Sequence, residues 1–213
     1  RTLADQYDLK LINDNCHALG AQYEGQRDYA SKYADITILS FHPVKHITTG
    51  EGGAVLTNDE EIDSLIRQLR SHGIDRNFET PDASDSDLSP VGMTQLGFNY
   101  RLSDIQCALG LSQLDRLDDF LLQRRTIAEC YVERLKNISE IILPTSREEI
   151  SHAFHLFAIQ INFEILRKSR RRLFDEFAQN QIILQTHYQP VHLEPYFKNV
   201  FGFKLGDFPR AEK

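Results

Sequence analysis

Lys45 lies in the segment Ser40-Phe-His-Pro-Val-Lys45-His-Ile-Thr-Thr-Gly-Glu-Gly-Gly53, directly after an apolar, β-branched run. A lysine at the carboxyl edge of a parallel sheet points to where α/β proteins bind ligands. Partly desolvated there, it can lose its proton and attack a carbonyl carbon to form a Schiff base. The glycines that follow allow a ligand close approach to the backbone. A second cluster, Asp14-Asn-Cys-His17-Ala-Leu-Gly20, ends another apolar run. A lone strand-end aspartate is commonly a cap or turn residue. Beside a Schiff-base lysine, it is also the carboxylate that keeps a pyridine nitrogen protonated, so that the ring withdraws electrons from a substrate carbon. His17 could then reach the ring's 3-hydroxyl oxygen or be a hydrogen-bonded core histidine.

Other histidine pairs carry less. His42 and His46 have a zinc-compatible spacing on a helix, but Pro43 and the preceding strand argue against that helix, and no third ligand is near. His187 and His192, in Thr186-His-Tyr-Gln-Pro-Val-His192, lack a metal pattern. Gly50-Glu-Gly-Gly53 lacks the strand-loop-helix context of a phosphate loop.

The elements that must position these residues read as an α/β chain with a mostly parallel sheet. Strands are expected over Leu9–Asp14, Asp35–Phe41 and Gly53–Thr57. A helix is expected over Asp59–Arg70, capped by Asn58 or Asp59 and stopped by Gly73, with Ile62, Leu65, Ile66 and Leu69 on one stripe. Ile74–Gly97 is a long polar loop carrying Pro81 and Pro90. Ser103 to about Asn137 reads as a long helical stretch with one bend. Leu109, Leu111, Leu114, Leu117, Phe120 and Leu121 form its apolar face. Strands over Ile141–Leu143, Ala153–Ile161 and Ile182–Thr186 and a helix over Arg167–Gln179 follow. Residues 1–120 are assigned to one domain and 121–213 to a second.

Composition narrows the function. The 213 residues carry a net charge of −7 and a pI near 5.6, a balance that disfavours non-specific nucleic-acid binding. The cluster Arg167, Lys168, Arg170, Arg171 and Arg172 reads as a solvated helix face. No apolar run has the length of a membrane helix. Cys16, Cys107 and Cys130 form no CxxC or metal knuckle, so reduced thiols and a cytoplasmic setting are expected. The chain opens on Arg1 within the tail of a helix and ends at Lys213 as another begins, so a piece of a longer protein is expected.

Taken together, four segments resemble the DegT/DnrJ/EryC1/StrS sugar aminotransferases. They are Asp14–Gly20, Ser40–Gly53, Gly97–Leu114 (GFNYRLSDIQCALGLSQL) and His187–His192. They occur in order and span essentially the whole chain. The resemblance implies an aspartate-aminotransferase type I fold with a large pyridoxal-phosphate (PLP) domain and a smaller α/β domain. The family's N-terminal third and C-terminal end are missing from the chain. It further implies that Lys45 is the catalytic lysine, with Asp14 at the pyridinium nitrogen and His17 near the ring oxygen. Ser40 would bind the cofactor phosphate and Asn99 the phosphate of a partner subunit, giving a homodimer with shared sites. Arg101, His187 and Tyr188 would line the nucleotide-sugar side. Within the family, His42–Gly53 is most similar to members of the pseudaminic acid pathway. Those members aminate a UDP-linked 4-keto-6-deoxy amino sugar with L-glutamate. Two alternatives are another nucleotide-linked keto-sugar and a non-catalytic sugar-sensing protein of the same fold. The dehydratase branch of the family replaces the lysine by histidine, and Lys45 argues against it.

Overall fold

A computed structural model of the chain describes residues 1–75 and 92–212. Contacts divide it into two units. The first holds Arg1–Arg134 with Thr145–Phe157, and the second holds Leu135–Pro144 with Ala158–Lys213. The boundary expected at 120/121 falls inside a helix instead.

In the first unit, α1 (Thr2–Gln6) precedes β1 (Ile12–Asp14), β2 (Gln22–Tyr23), α2 (Tyr29–Tyr33), β3 (Ile36–Ser40) and β4 (Gly53–Leu56). These strands form a three-stranded sheet in the order β1-β3-β4. The stretch between β1 and β3 holds α2 and is long enough for a crossover, so the two strands run parallel, with Asp14 opposite Ile38. The connection from β3 to β4 has no helix to carry the chain back across the sheet. β4 therefore returns antiparallel, with Ser40 opposite Gly53. Because β1 and β3 are parallel, their carboxyl ends, Asp14 and Ser40, lie at the same edge.

Next come α3 (Glu60–Leu69), β5 (Ile74–Asp75), β6 (Gly92–Met93), α4 (Asp104–Leu114) and α5 (Leu117–Leu135). The Asp59 side chain caps α3 by accepting from the N–H groups of Glu61 and Ile62. The base of the expected polar loop is a short antiparallel ladder, Ile74 opposite Met93. The rest of that loop, residues 76–91, lies outside the described residues. Ser103 and Gln106 cap α4 reciprocally. The expected bend falls between α4 and α5.

The chain then gives β7 (Ile141–Ile142) to the second unit and returns to the first for β8 (Ile150–Ser151), which pairs with β2. The second unit continues with β9 (Gln160–Ile161), α6 (Phe163–Leu166), α7 (Arg170–Gln179), α8 (Pro195–Phe201) and α9 (Pro209–Glu212). Of the strand expected over Ala153–Ile161 only Gln160–Ile161 (β9) forms; β8 ends at Ser151, before it, and the chain between them is irregular. The helix expected from Arg167 begins at Arg170, where Ser169 caps it, because Arg167 takes a left-handed conformation at the end of α6. Ile182–Thr186 forms no strand. Ile182 and Ile183 are exposed, and no described strand lies beside them to complete a ladder. The basic cluster is partly neutralised: Lys168 and Arg172 both pair with Glu176, at 2.6 and 3.0 Å.

The core of the first unit lies directly under the site. Leu121, 1% exposed, packs with Leu117, Ala21, Ile47 and Ala153, and Ala18, Leu19, Tyr29 and Phe41 flank them. Burying a leucine contributes roughly 1.5–3 kcal/mol. Gly20 (φ +81°) sits so tightly on Leu121 that a Cβ there would overlap its side chain. The α4 and α5 face is thus unequal: Leu117 and Leu121 are buried, while Leu109, Leu111 and Leu114 stay exposed.

Candidate functional site

Asp14 closes β1, and the chain turns at once. The Asn15 N–H donates to the Ile38 carbonyl at 2.9 Å, so the turn stays fastened to β3. The Cys16 N–H donates to Asp14 Oδ1 at 3.1 Å. Hydrogen bonds from the Cys16 thiol and N–H, then the charges of His17 and Lys45, hold the Asp14 carboxyl below its ordinary pKa. It remains an exposed, ionised acceptor. Burial pushes the Cys16 thiol up to about 11, so it stays protonated.

Lys45 is held from both sides. Its own N–H donates to the His42 carbonyl at 2.9 Å, closing a turn at Pro43. On the other side His46 and Ile47 are buried. The loop closes where the Phe41 N–H meets the Gly52 carbonyl at 2.8 Å and the Thr49 N–H meets the Phe41 carbonyl at 3.1 Å. The loop also leans on α4: Gln106 Nε2 donates to the Glu51 carbonyl at 2.9 Å. A Cβ on Gly110 would come within 2.8 Å of Thr49 Cγ2, so only glycine permits that approach. The Ser40 hydroxyl accepts from the His42 N–H at 3.4 Å. Lys45 is half-buried, and its charge acts on Asp14, Cys16 and His155. Asp14, His17, Ser40 and Lys45 therefore share one end of the sheet.

Asn99 and Arg101 lie on the segment between α3 and α4. Backbone hydrogen bonds tie it to the end of α3: the Phe98 N–H donates to the Leu69 carbonyl and the Tyr100 N–H to the Arg70 carbonyl. Both site candidates are exposed. Phe98 and Tyr100 stack at 4.8 Å and are exposed on either side of Asn99. His187 and Tyr188 belong to the second unit, where both are exposed and their rings lie 4.4 Å apart.

Three contributors were not singled out in the sequence. His155 packs on His17, ring centroids 4.3 Å apart. Arg125 donates to the carbonyls of Gly20 and His152, and Arg124 donates to that of Phe154. The signal was His155 within Ala153–Ile161, read as a strand, and the adjacent Arg124-Arg125 on a helix face. Nothing in either pattern shows that they meet. His46, weighed as a zinc ligand, is instead buried, with Nε2 3.2 Å from the Ala153 carbonyl oxygen. His192, weighed with His187, is buried and paired to Glu212 at 2.7 Å.

His46 and His155 make a pH prediction. Burial, then the charge of Arg124, pushes His46 down from 6.5 to about 4. Burial, then the charges of His17 and Lys45, does the same to His155. The folded pKa lies below the unfolded one, so the unfolded chain takes up protons first as pH falls. This contribution to stability is complete above about 6.5 and is lost as pH falls towards about 4. Denaturant melts across that window are expected to lose less stability in a His46→Gln variant than in the wild type. Parallel curves would contradict the assignment.

The pattern of the DegT/DnrJ/EryC1/StrS aminotransferase family matches residues 1–213. A Campylobacter jejuni protein named UDP-4-amino-4,6-dideoxy-N-acetyl-beta-L-altrosamine transaminase is 38% identical over 200 residues, 94% of this chain and 50% of that protein. Helicobacter pylori PseC, an aminotransferase of pseudaminic acid biosynthesis, superposes with a TM-score of 0.80 at 28% identity, over 99% of this chain and 54% of that one. The PLP form of a putative sugar aminotransferase from Streptococcus pneumoniae gives a TM-score of 0.77 at 28% identity, covering 98% of this chain and 51% of that one. The chain spans about half the length of these relatives. Among the described residues, no helix is long and apolar enough to cross a membrane. With its whole length matched and its lysine and aspartate set at one sheet edge, the chain belongs to the DegT/DnrJ/EryC1/StrS aminotransferase family.

Proposed function

We propose that this chain carries the lysine-bearing half of a PLP-dependent nucleotide-sugar aminotransferase. The observation that carries the reading is the meeting of Lys45 and Asp14 at the carboxyl edge of β1 and β3, close enough for the lysine charge to act on the carboxyl. The residues fit the cofactor. An ionised, exposed carboxylate suits a pyridinium N–H, a half-buried amine suits an aldehyde carbon, and the Ser40 hydroxyl at the end of β3 suits a phosphate oxygen.

When bound, PLP supplies an electron sink for charge on the substrate carbon. Asp14 holds the proton at the ring nitrogen. Lys45 Nζ would take the proton from the amino-bearing carbon of the donor in the first half-reaction and supply one to the sugar carbon that becomes aminated in the second. His17 borders the ring oxygen, and Ser40 anchors the phosphate. Arg101 binds the nucleotide sugar. The amino donor is L-glutamate, and the acceptor is a UDP-linked 4-keto-6-deoxy amino sugar of pseudaminic acid synthesis. The similarity to the C. jejuni transaminase and to PseC supports that choice. The setting is the cytoplasm. The deciding experiment incubates the full-length protein with PLP, glutamate and a panel of UDP-4-keto sugars, with mass spectrometry of the products. An aminated 4,6-dideoxy product is expected. Amination of a different sugar would reassign the substrate, and no amination of any would favour a sensing role.

We also propose a homodimer whose sites are shared through Asn99. The exposed amide between two exposed stacked rings supports this. Mixing inactive Lys45→Ala subunits with inactive Asn99→Asp subunits is expected to restore part of the activity. In a mixed dimer with shared sites, one site carries both defects and the other carries none. No recovery despite demonstrated subunit exchange would sink the shared-site arrangement.

A further inference from the structure

The segment Ser151–Phe157 has the composition of a strand, yet between β8 and β9 it leaves the ladder. It is instead built as a rigid support. The Phe154 N–H donates to His152 Nδ1 at 2.7 Å. The three carbonyls of residues 152 to 154 are each held by a side chain from elsewhere. Arg125 Nε takes that of His152 at 3.1 Å, His46 Nε2 that of Ala153 at 3.2 Å, and Arg124 Nη1 that of Phe154 at 3.2 Å. Ala153 is 1% exposed in the core. Phe154 has φ +46°, a conformation rare for a residue with a side chain, and these anchors hold it there.

This support presents His155. Its ring lies 4.3 Å from that of His17, tilted by 49°, and 5.7 Å from that of His46. Its Nδ1 is buried without a hydrogen-bond partner among the described residues. Such groups in native proteins call for an explanation. His17, by contrast, is exposed on the turn that follows β1. Arg125 also donates to the carbonyl of Gly20 at 3.4 Å, so one guanidinium ties the loop carrying His17 to the support carrying His155. The groups whose charges act on His155 are His17, Lys45, His46 and Arg124.

We propose that His155 is a positioning residue: its anchored ring packs on His17 and fixes the plane in which His17 meets a bound ligand. This rests on the reading of His17 and Lys45 as site residues. The test uses full-length apo protein labelled with [13C]histidine, with ring signals assigned by single substitutions. In His155→Ala the sharp His17 ring signal is expected to split or be lost. In His155→Phe, which keeps a ring against His17, it is expected to survive. In His17→Ala the His155 signal is expected to stay unchanged, because His155 is held by its own support. In the loaded enzyme, His155→Ala should lower kcat by roughly tenfold or more with little change in KM, and His155→Phe should recover most of it. An unchanged His17 signal in folded His155→Ala overturns the proposal, and so does a His155 signal that loosens when His17 is removed. If His155→Ala does not fold, the other two variants decide, and a split His17 signal in His155→Phe counts against it. Failure to attach PLP to Lys45 would overturn the functional reading while leaving the ring result standing.

Discussion

Replacing Lys45 by arginine in the full-length protein is expected to abolish transamination with the fold intact. Arginine keeps the positive charge, but its guanidinium does not deprotonate in proteins and cannot serve as the attacking amine. The lysine's neighbours tolerate the change. The residue is half-buried, and the turn that holds it depends on its backbone N–H, which arginine retains. Loss of a positioned acid–base group alone is of the order of 10⁴-fold at the top of its range. Two measurements check this. Circular dichroism and a denaturant melt should match the wild type. Borohydride treatment of the PLP-loaded wild type should fix the cofactor on the peptide that contains Lys45, and that label should vanish in the variant. Labelling on another lysine would refute the assignment.

Asp14→Asn is expected to leave the cofactor bound and the reaction slow by at least ~100-fold, as for loss of one positioned electrostatic group. The amide is nearly isosteric and its oxygen can still accept the Cys16 N–H, so the turn after β1 should persist. What disappears is the negative charge that His17 and Lys45 both face. The asparagine cannot hold a proton on a pyridine nitrogen. Single-turnover kinetics with glutamate separate the effects: cofactor affinity should change little and the chemical step greatly. A nearly wild-type rate would leave Asp14 as a turn residue.

The parts legible in the sequence were those whose signal is local. β1, β3 and β4 follow from short β-branched runs, and α3 from its apolar stripe and the capping aspartate, Asp59. The Ser103–Gln106 capping box marks the start of α4. The site was legible to the same depth, because Asp14, Ser40 and Lys45 each sit within five residues of a strand end. What stayed hidden depends on partners distant in sequence. Ala153–Ile161 is an apolar, aromatic-rich run like one strand, but the anchors from Arg124, Arg125 and His46 on the carbonyls of residues 152 to 154 hold its start out of any ladder. Ile182–Thr186 has strand composition without a described strand to pair with. His155 carries no motif of its own, and only its anchors bring it to His17.

Those anchors have a consequence for how the protein is made. Hydrogen bonds close in sequence, from Ile12 to Gly53, can order the ends of β1 and β3 and the turn of Lys45 before α4 adds its own contacts to the loop. The hydrogen bond from His46 to Ala153 joins residues 107 apart. The Arg125 link to Gly20 spans 105. Neither can form until the later segment has left the exit tunnel, and contacts of such separation close slowly. The nascent chain therefore passes through an interval in which the lysine and aspartate are in place but the histidine support is not. Until synthesis passes residue 155, His46 and the apolar ring of Ala21, Ile47 and Leu121 lack Ala153 as cover. That interval is when the chain most needs protection from aggregation.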